Sequence, residues 1–161
     1  MSSPIDGARG SRFVATIVAL LLAVGLFQAP VANAENGYRL KFLRLLNASR
    51  EKHGLHRLRP DTSFGKDAMQ HTRKMLRRDE VFDPRDLMRM LSDEPWEEIG
   101  ASVVGCASTL KGLHRALMRH RPHRVIILHP DLRRVGIGIV EVDDANACGR
   151  GSFWGTALFY G

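Results

Sequence analysis

The chain has 161 residues, 44% of them hydrophobic and 25% charged, with a formal net charge of +7. That balance is globular rather than disordered, the length is that of one domain, and two cysteines are too few for a disulfide-dense scaffold. The positive charge is carried almost wholly by arginine, with no nucleic-acid motif and no aromatic residues interleaved among the arginines. It therefore fits an anionic polymer or lipid surface, or simply a solvated basic face, better than nucleic acid.

The opening residues read as a targeting segment. Arg9 and Arg12 precede an unbroken apolar run over 13–27, and Ala32-Asn33-Ala34 follows as a small-x-small cleavage site. This pattern predicts a secretory signal peptide over 1–34, cleaved after Ala34, with an uncleaved anchor as the alternative. Cleavage removes Arg9, Arg12 and Asp6 and leaves 127 residues with a charge of +6, enough for one hydrophobic core. No cysteine follows the apolar run, which argues against a lipid anchor there.

Residues 38–53 keep helical spacing through Phe42, Leu43, Leu46 and Arg50, and Gly54 is a natural stop. A second helix is predicted over 62–79, capped by Asp61 or Thr62, with Phe64, Ala68, His71 and Met75 on one face. His71 on that apolar face reads as a core histidine before it reads as a ligand. Arg73, Lys74, Arg77 and Arg78 fall on the solvent side. Residues 81–95 connect, with a short helix near 85–91. Residues 96–106 approach a third main helix over 107–120, whose apolar face is Leu110, Leu113 and Leu117. Lys111, Arg115 and Arg119 form a basic stripe at i, i+4 and i+8.

Pro122 lacks an N–H and biases Arg121 away from helix, so the third helix is expected to stop there. His123 then stands where the chain turns toward the sheet, followed by the apolar run 125–128 and a His129-Pro130-Asp131 turn. The positive field of Arg121 and Arg124 is expected to keep His123 neutral at pH 7. His120 and His123 are three apart, but a helix broken at Pro122 would not align them as a metal pair. Strands are predicted over 135–142 and 151–160, joined by a turn-rich stretch as an antiparallel hairpin. In an exported chain the two cysteines, Cys106 and Cys148, are expected to form a disulfide, with two free buried thiols as the alternative.

Two stretches of this pattern resemble a known family. Leu45, Leu46, Asn47, Arg50, Gly54, Leu55, Leu58 and Asp61 fall in register with the opening L-L-N-x-x-R-x-x-x-G-L-x-x-L-x-x-D of the CAP or SCP domain, the family of cysteine-rich secretory proteins, antigen 5 and plant pathogenesis-related proteins. Arg121-Pro122-His123-Arg124-Val125-Ile126-Ile127-Leu128, then Gly136-Ile137-Gly138, resembles the S-P-x-H-R-x-N-I-L and G-x-G of bacterial members. The resemblance covers nearly all of residues 38–161. It implies an α+β fold, a CAP-type α-β-α sandwich with a small, mainly antiparallel sheet between helical layers.

The family's cleft holds two histidines and two acidic residues that can bind a divalent metal. Of these, the resemblance places only His123. Asp83 or Pro84 stands where the first histidine would be, Ala101 stands at the glutamate of G-E-N-[IV], and Ser102 at its asparagine. No metal and no cofactor are therefore expected; His123, Asp83 and Glu98 would all have to converge to make a metal site. The ligand-binding candidates are His123, Arg121, Arg124 and His71. The expected function is that of an exported, non-enzymatic binder of an anionic envelope or extracellular ligand, be it lipid, glycan polymer or protein. The alternatives are a secreted metal-assisted or peptide-cleaving hydrolase, and a structural domain with a vestigial cleft. A monomer with no nucleic-acid partner is expected.

Overall fold

A computed structural model describes residues 29–92 and 99–161, with side chains from residue 34 onward. Two compact units divide the chain, and the second, Glu35–Gly161, carries everything described below. Residues 1–28 of the predicted signal peptide and Glu98 lie outside the described residues, whereas residues 29–34, with the predicted cleavage site, belong to the first described helix. Among the described residues no helix is long and apolar enough to cross a membrane.

Among the described residues five helices and four strands follow in order: α1 (Ala29–Lys52), β1 (Arg59–Pro60), α2 (Thr62–Arg78), α3 (Leu87–Leu91), β2 (Gly100–Ala107), α4 (Leu110–Arg119), α5 (Arg121–Ile127), β3 (Arg134–Val142) and β4 (Ser152–Tyr160). The sheet runs β1-β3-β4-β2. β4 pairs antiparallel with β3, Arg134 opposite Tyr160, and with β2, Gly100 opposite Tyr160. β1 adds a short parallel edge, Arg59 beside Arg134. That edge strand is not foreseen from sequence, because two residues ending in proline carry no strand period.

The sheet is covered on both faces. On one, Phe42 and Leu46 of α1, Leu110, Leu113 and Leu117 of α4 and Ile127 of α5 pack on Val103, Ile137, Ile139, Ala157 and Phe159. On the other, Phe64 and Ala68 of α2 and Leu91 of α3 meet Leu158 and Tyr160, while Met75 packs with Val104 and Trp154. The α-β-α sandwich is thus present, with its mainly antiparallel sheet. α2 approaches β3 backbone to backbone: a Cβ on Gly136 would lie 2.3 Å from the Phe64 carbonyl carbon, and one on Gly138 2.4 Å from that of Ala68. Only glycine allows that closeness. Thr72 of α2, wholly buried, reinforces it by donating toward Gly138 O and Thr156 Oγ1, at 3.1 and 2.9 Å.

The capping residues act as predicted. Gly54 takes a positive φ of 71° just past α1. Asp61, rather than Thr62, caps α2, its Oδ1 accepting from Phe64 N at 3.0 Å. Its Oδ2 accepts from Tyr160 Oη at 2.7 Å, which ties the helix start to the end of β4. Burial opposes the charge on Asp61, yet the hydrogen bonds from Tyr160, Phe64 and Ser63 outweigh it and hold its pKa below the ordinary value.

Two polar residues of α1 fold the following segment onto the domain. Asn47 donates to Leu58 O at 3.1 Å and accepts from Leu58 N at 2.8 Å, a two-point grip on one residue. Arg50 is fully buried and faces no carboxylate among the described residues. Its guanidinium instead donates to four backbone carbonyls: His56 at 2.8 Å, Ile127 at 2.8 Å, His129 at 2.9 Å and Leu132 at 3.1 Å. One side chain thus holds together the end of α1, the end of α5 and the approach to β3.

Candidate functional site

Thr109 caps α4 by accepting from Gly112 N at 2.9 Å, and α4 ends at His120, whose extended backbone (φ −77°, ψ 110°) redirects the chain. The expected turn into the sheet does not follow. Pro122 sits in the first turn of a new helix, α5, and the apolar run 125–128 is helical rather than a passage to strand. Proline is well suited to a first helical turn, where its missing N–H has no partner to lose. The breaker that ends α4 therefore also starts α5. His123 stands in that first turn, half-buried, between exposed Arg121 and Arg124.

The kink brings His120 and His123 together after all, rings edge to face with centroids 4.5 Å apart. Burial, then the His120 charge, lowers the His123 pKa, while the Asp83 carboxylate opposes the shift. The direction is the one expected from Arg121 and Arg124, but burial and His120 are the causes. Asp83 lies on the loop after α2 and is exposed.

His71 positions that loop. It is 2% exposed, its Nε2 lies 2.8 Å from Phe82 O, and its ring meets Phe82 edge-on at 5.1 Å. Arg78 covers the Phe82 ring at 5.1 Å. Asp79, in the left-handed region that ends α2, accepts from Ala147 N at 2.7 Å. His71 thus serves as a satisfied core residue that anchors the loop bearing Asp83.

The described donors do not make up a metal site. Among the described residues no three His, Cys, Asp or Glu side chains are placed to hold an ion. Asp83 is exposed, and Ala101 and Ser102 pair with Phe159 and Leu158 of β4 and bring no metal-binding side chain. A serine–histidine contact missed in the sequence joins α1 to α4, Ser49 Oγ to His114 Nε2 at 2.9 Å. Burial lowers the His114 pKa, so the ring is a neutral acceptor or donor. Ser49 lies within a continuous helix, however, where backbone N–H groups are committed to the i−4 carbonyls and cannot form an oxyanion hole. No hydrogen-bond or ion-pair partner orients the other His114 nitrogen among the described contacts.

Cys106 and Cys148 are joined, with Cα atoms 6.0 Å apart, and no free cysteine remains. The bond ties the end of β2 to the β3–β4 connection. Asn146 organises that connection by accepting from Cys148 N at 2.9 Å and from Trp154 Nε1 at 3.2 Å.

Sequence reasoning also missed a concavity of about 770 Å³ at the opposite edge of the sheet, by β1. Arg57, Arg59, Arg133, Arg134 and His56 line it over an apolar floor that includes Leu58. The signal was available in Arg57-Leu58-Arg59 and Arg133-Arg134, but only the β1–β3 pairing brings the two runs together.

The profile described as the cysteine-rich secretory protein family, CAP, matches residues 43–158. An uncharacterised Bacillus subtilis protein, YkwD, is 28% identical over 134 residues, covering 78% of this chain and 48% of its own. An extracellular SCP-domain protein of Bacillus anthracis superposes with a TM-score of 0.64 at 19% identity, over 81% of this chain and 42% of that one. An outer surface protein of Borrelia burgdorferi superposes at 0.62 and 14% identity, over 77% of this chain and 92% of that one. The chain spans about half the length of YkwD and less of the Bacillus anthracis protein. With the sandwich, the Asn47 and Arg50 grips, the glycine-spaced β3 and a profile match over most of the chain, this protein belongs to the CAP family of cysteine-rich secretory proteins.

Proposed function

We propose that this CAP-domain protein is exported and acts as a non-enzymatic binder of an anionic envelope or extracellular component, through the face around His123, Arg121 and Arg124. The observation that carries the reading is the site itself: a half-buried imidazole biased to neutrality, flanked by two exposed guanidinia, with no metal-holding group of side chains among the described residues. A neutral imidazole donates or accepts a hydrogen bond, and the arginine forks supply the charge and the geometry for an oxyanion. Export is supported by the small-x-small site at Ala32-Asn33-Ala34, by the disulfide, and by structural neighbours described as extracellular or outer-surface proteins.

The test is retention of the secreted protein on isolated anionic envelope polymer and on lipid vesicles at rising salt. Retention lost on Arg121→Ala/Arg124→Ala and screened by salt supports the reading. Equal retention by the variant, or peptide cleavage abolished by His123→Ala, overturns it in favour of another surface or of a hydrolase.

A further inference from the structure

We infer that the concavity beside β1 is a second ligand site, one for a phosphate-bearing molecule. It is separate from the His123 face, because it lies at the β1 edge of the sheet whereas α5 packs against β2, the opposite edge strand. The inference does not depend on the function proposed above.

Four arginines and a histidine line the concavity, and among the described residues no acidic one does. Arg59 and Arg134 are direct partners across parallel strands, an arrangement in which like charges repel. Neither has an ion-pair partner among the described residues. Of the other two, Arg57 is held by Glu51 at 2.5 Å, and Arg133 turns one nitrogen to the Pro130 and Leu132 carbonyls. Glu51 is thus the one carboxylate bonded to any of these four guanidinia among the described residues.

A fifth cation stands directly behind the wall. Arg50 bonds to the carbonyls of His56 and Leu132, the first a lining residue and the second next to one. Its charge is buried without an acid, and its pKa is lowered by burial and then by Arg133. Its field therefore reaches the concavity through protein rather than through water, where it is screened least. The site as built has a surplus of positive charge that a bound anion would complete.

Arginine geometry narrows the ligand. The guanidinium fork pairs bidentately with oxyanions, and several forks converging on one cavity suit a tetrahedral group with oxygens on every side better than a flat carboxylate with two. A volume of about 770 Å³ lies within the range of small-molecule sites and exceeds a lone phosphate, so the group would carry an attached moiety or a second phosphate. The apolar floor, with Leu43 and Leu58, would take the uncharged part. A phospholipid headgroup and a soluble phosphate ester share this chemistry.

The experiment is calorimetric titration of the secreted protein with tripolyphosphate, beside thermal melts with and without it. One-to-one binding is expected that weakens with salt, raises the melting temperature, and falls about ten-fold or more in Arg59→Gln/Arg134→Gln. That variant should fold, since both side chains are exposed and their removal relieves a repulsion. Lys111→Gln/Arg115→Gln, which removes the same charge from exposed positions of α4 outside the concavity, should bind as well as wild type, so that the loss is not one of net charge. Flotation with phosphatidylcholine vesicles, with and without phosphatidylglycerol, tells the sources apart. Retention on the anionic vesicles lost in the double variant points to a headgroup, and binding of tripolyphosphate without retention points to a soluble ester. Either supports the site. No binding in any arm, or undiminished binding by the double variant, overturns it.

Discussion

Arg50 and His123 show at the scale of single residues how burial sets the behaviour of a charge. Removing Arg50 orphans acceptors at four points of three segments, so Arg50→Ala is expected to lose at least about 3 kcal/mol of stability in urea unfolding. Arg50→Lys should recover only part of this, because an ammonium cannot fork to carbonyls on both sides. His123 titrates below its ordinary value of 6.5, as does His114. Burial disfavours the imidazolium, so the unfolded chain takes up these protons at a higher pH than the folded one. Stability therefore declines as pH falls through the unfolded value and levels off below the folded one. Thermal melts from neutral to mildly acidic pH should show that decline, and His123→Gln should make it shallower; a slope unchanged in the variant would show that His123 does not contribute.

At the scale of elements, the close contact of α2 with β3 is carried by the glycines of Gly136-Ile137-Gly138. Gly138→Ala puts a Cβ 2.4 Å from the α2 backbone, which cannot yield as a flexible side-chain tip could. A loss of about 1–3 kcal/mol is expected, measurable by denaturant midpoint. This strand, the three main helices and the final hairpin were legible because each has a clear hydrophobic period and punctuation such as Gly54 or Asp61. The α4–α5 corner was misread for a specific reason. Proline stops a helix and also suits the first turn of another, and the residues before it do not say which. The ring contact of His120 with His123 was missed with it, since it exists only across that kink.

For the whole molecule, the disulfide closes a span of 42 residues between β2 and the β3–β4 connection. Cys148→Ser is expected to cost up to about 4 kcal/mol in the chain-entropy account, and unreduced, denatured protein should show no free thiol. The His123 face is expected to take up no zinc at micromolar concentration in calorimetric titration. One-to-one binding lost in His123→Ala would mean that Asp83 and a further donor do converge there. The pairing of cysteines was readable from their number, whereas the arginine concavity was not. It is assembled from runs more than seventy residues apart, joined by a two-residue strand that leaves almost no trace in the sequence.

The carbonyl cage around Arg50 bears on the surroundings in which the domain holds its shape. A buried guanidinium matched to a carboxylate would come apart when acid neutralised its partner. Carbonyl oxygens take up no proton in that range, and arginine does not give one up. The junction of α1, α5 and β3 is therefore an acid-proof clasp. Acidification would act instead on groups that do take up protons, His114 and His123 and, at lower pH still, Asp61, loosening the helical corners and then the start of α2 while the clasp stays shut.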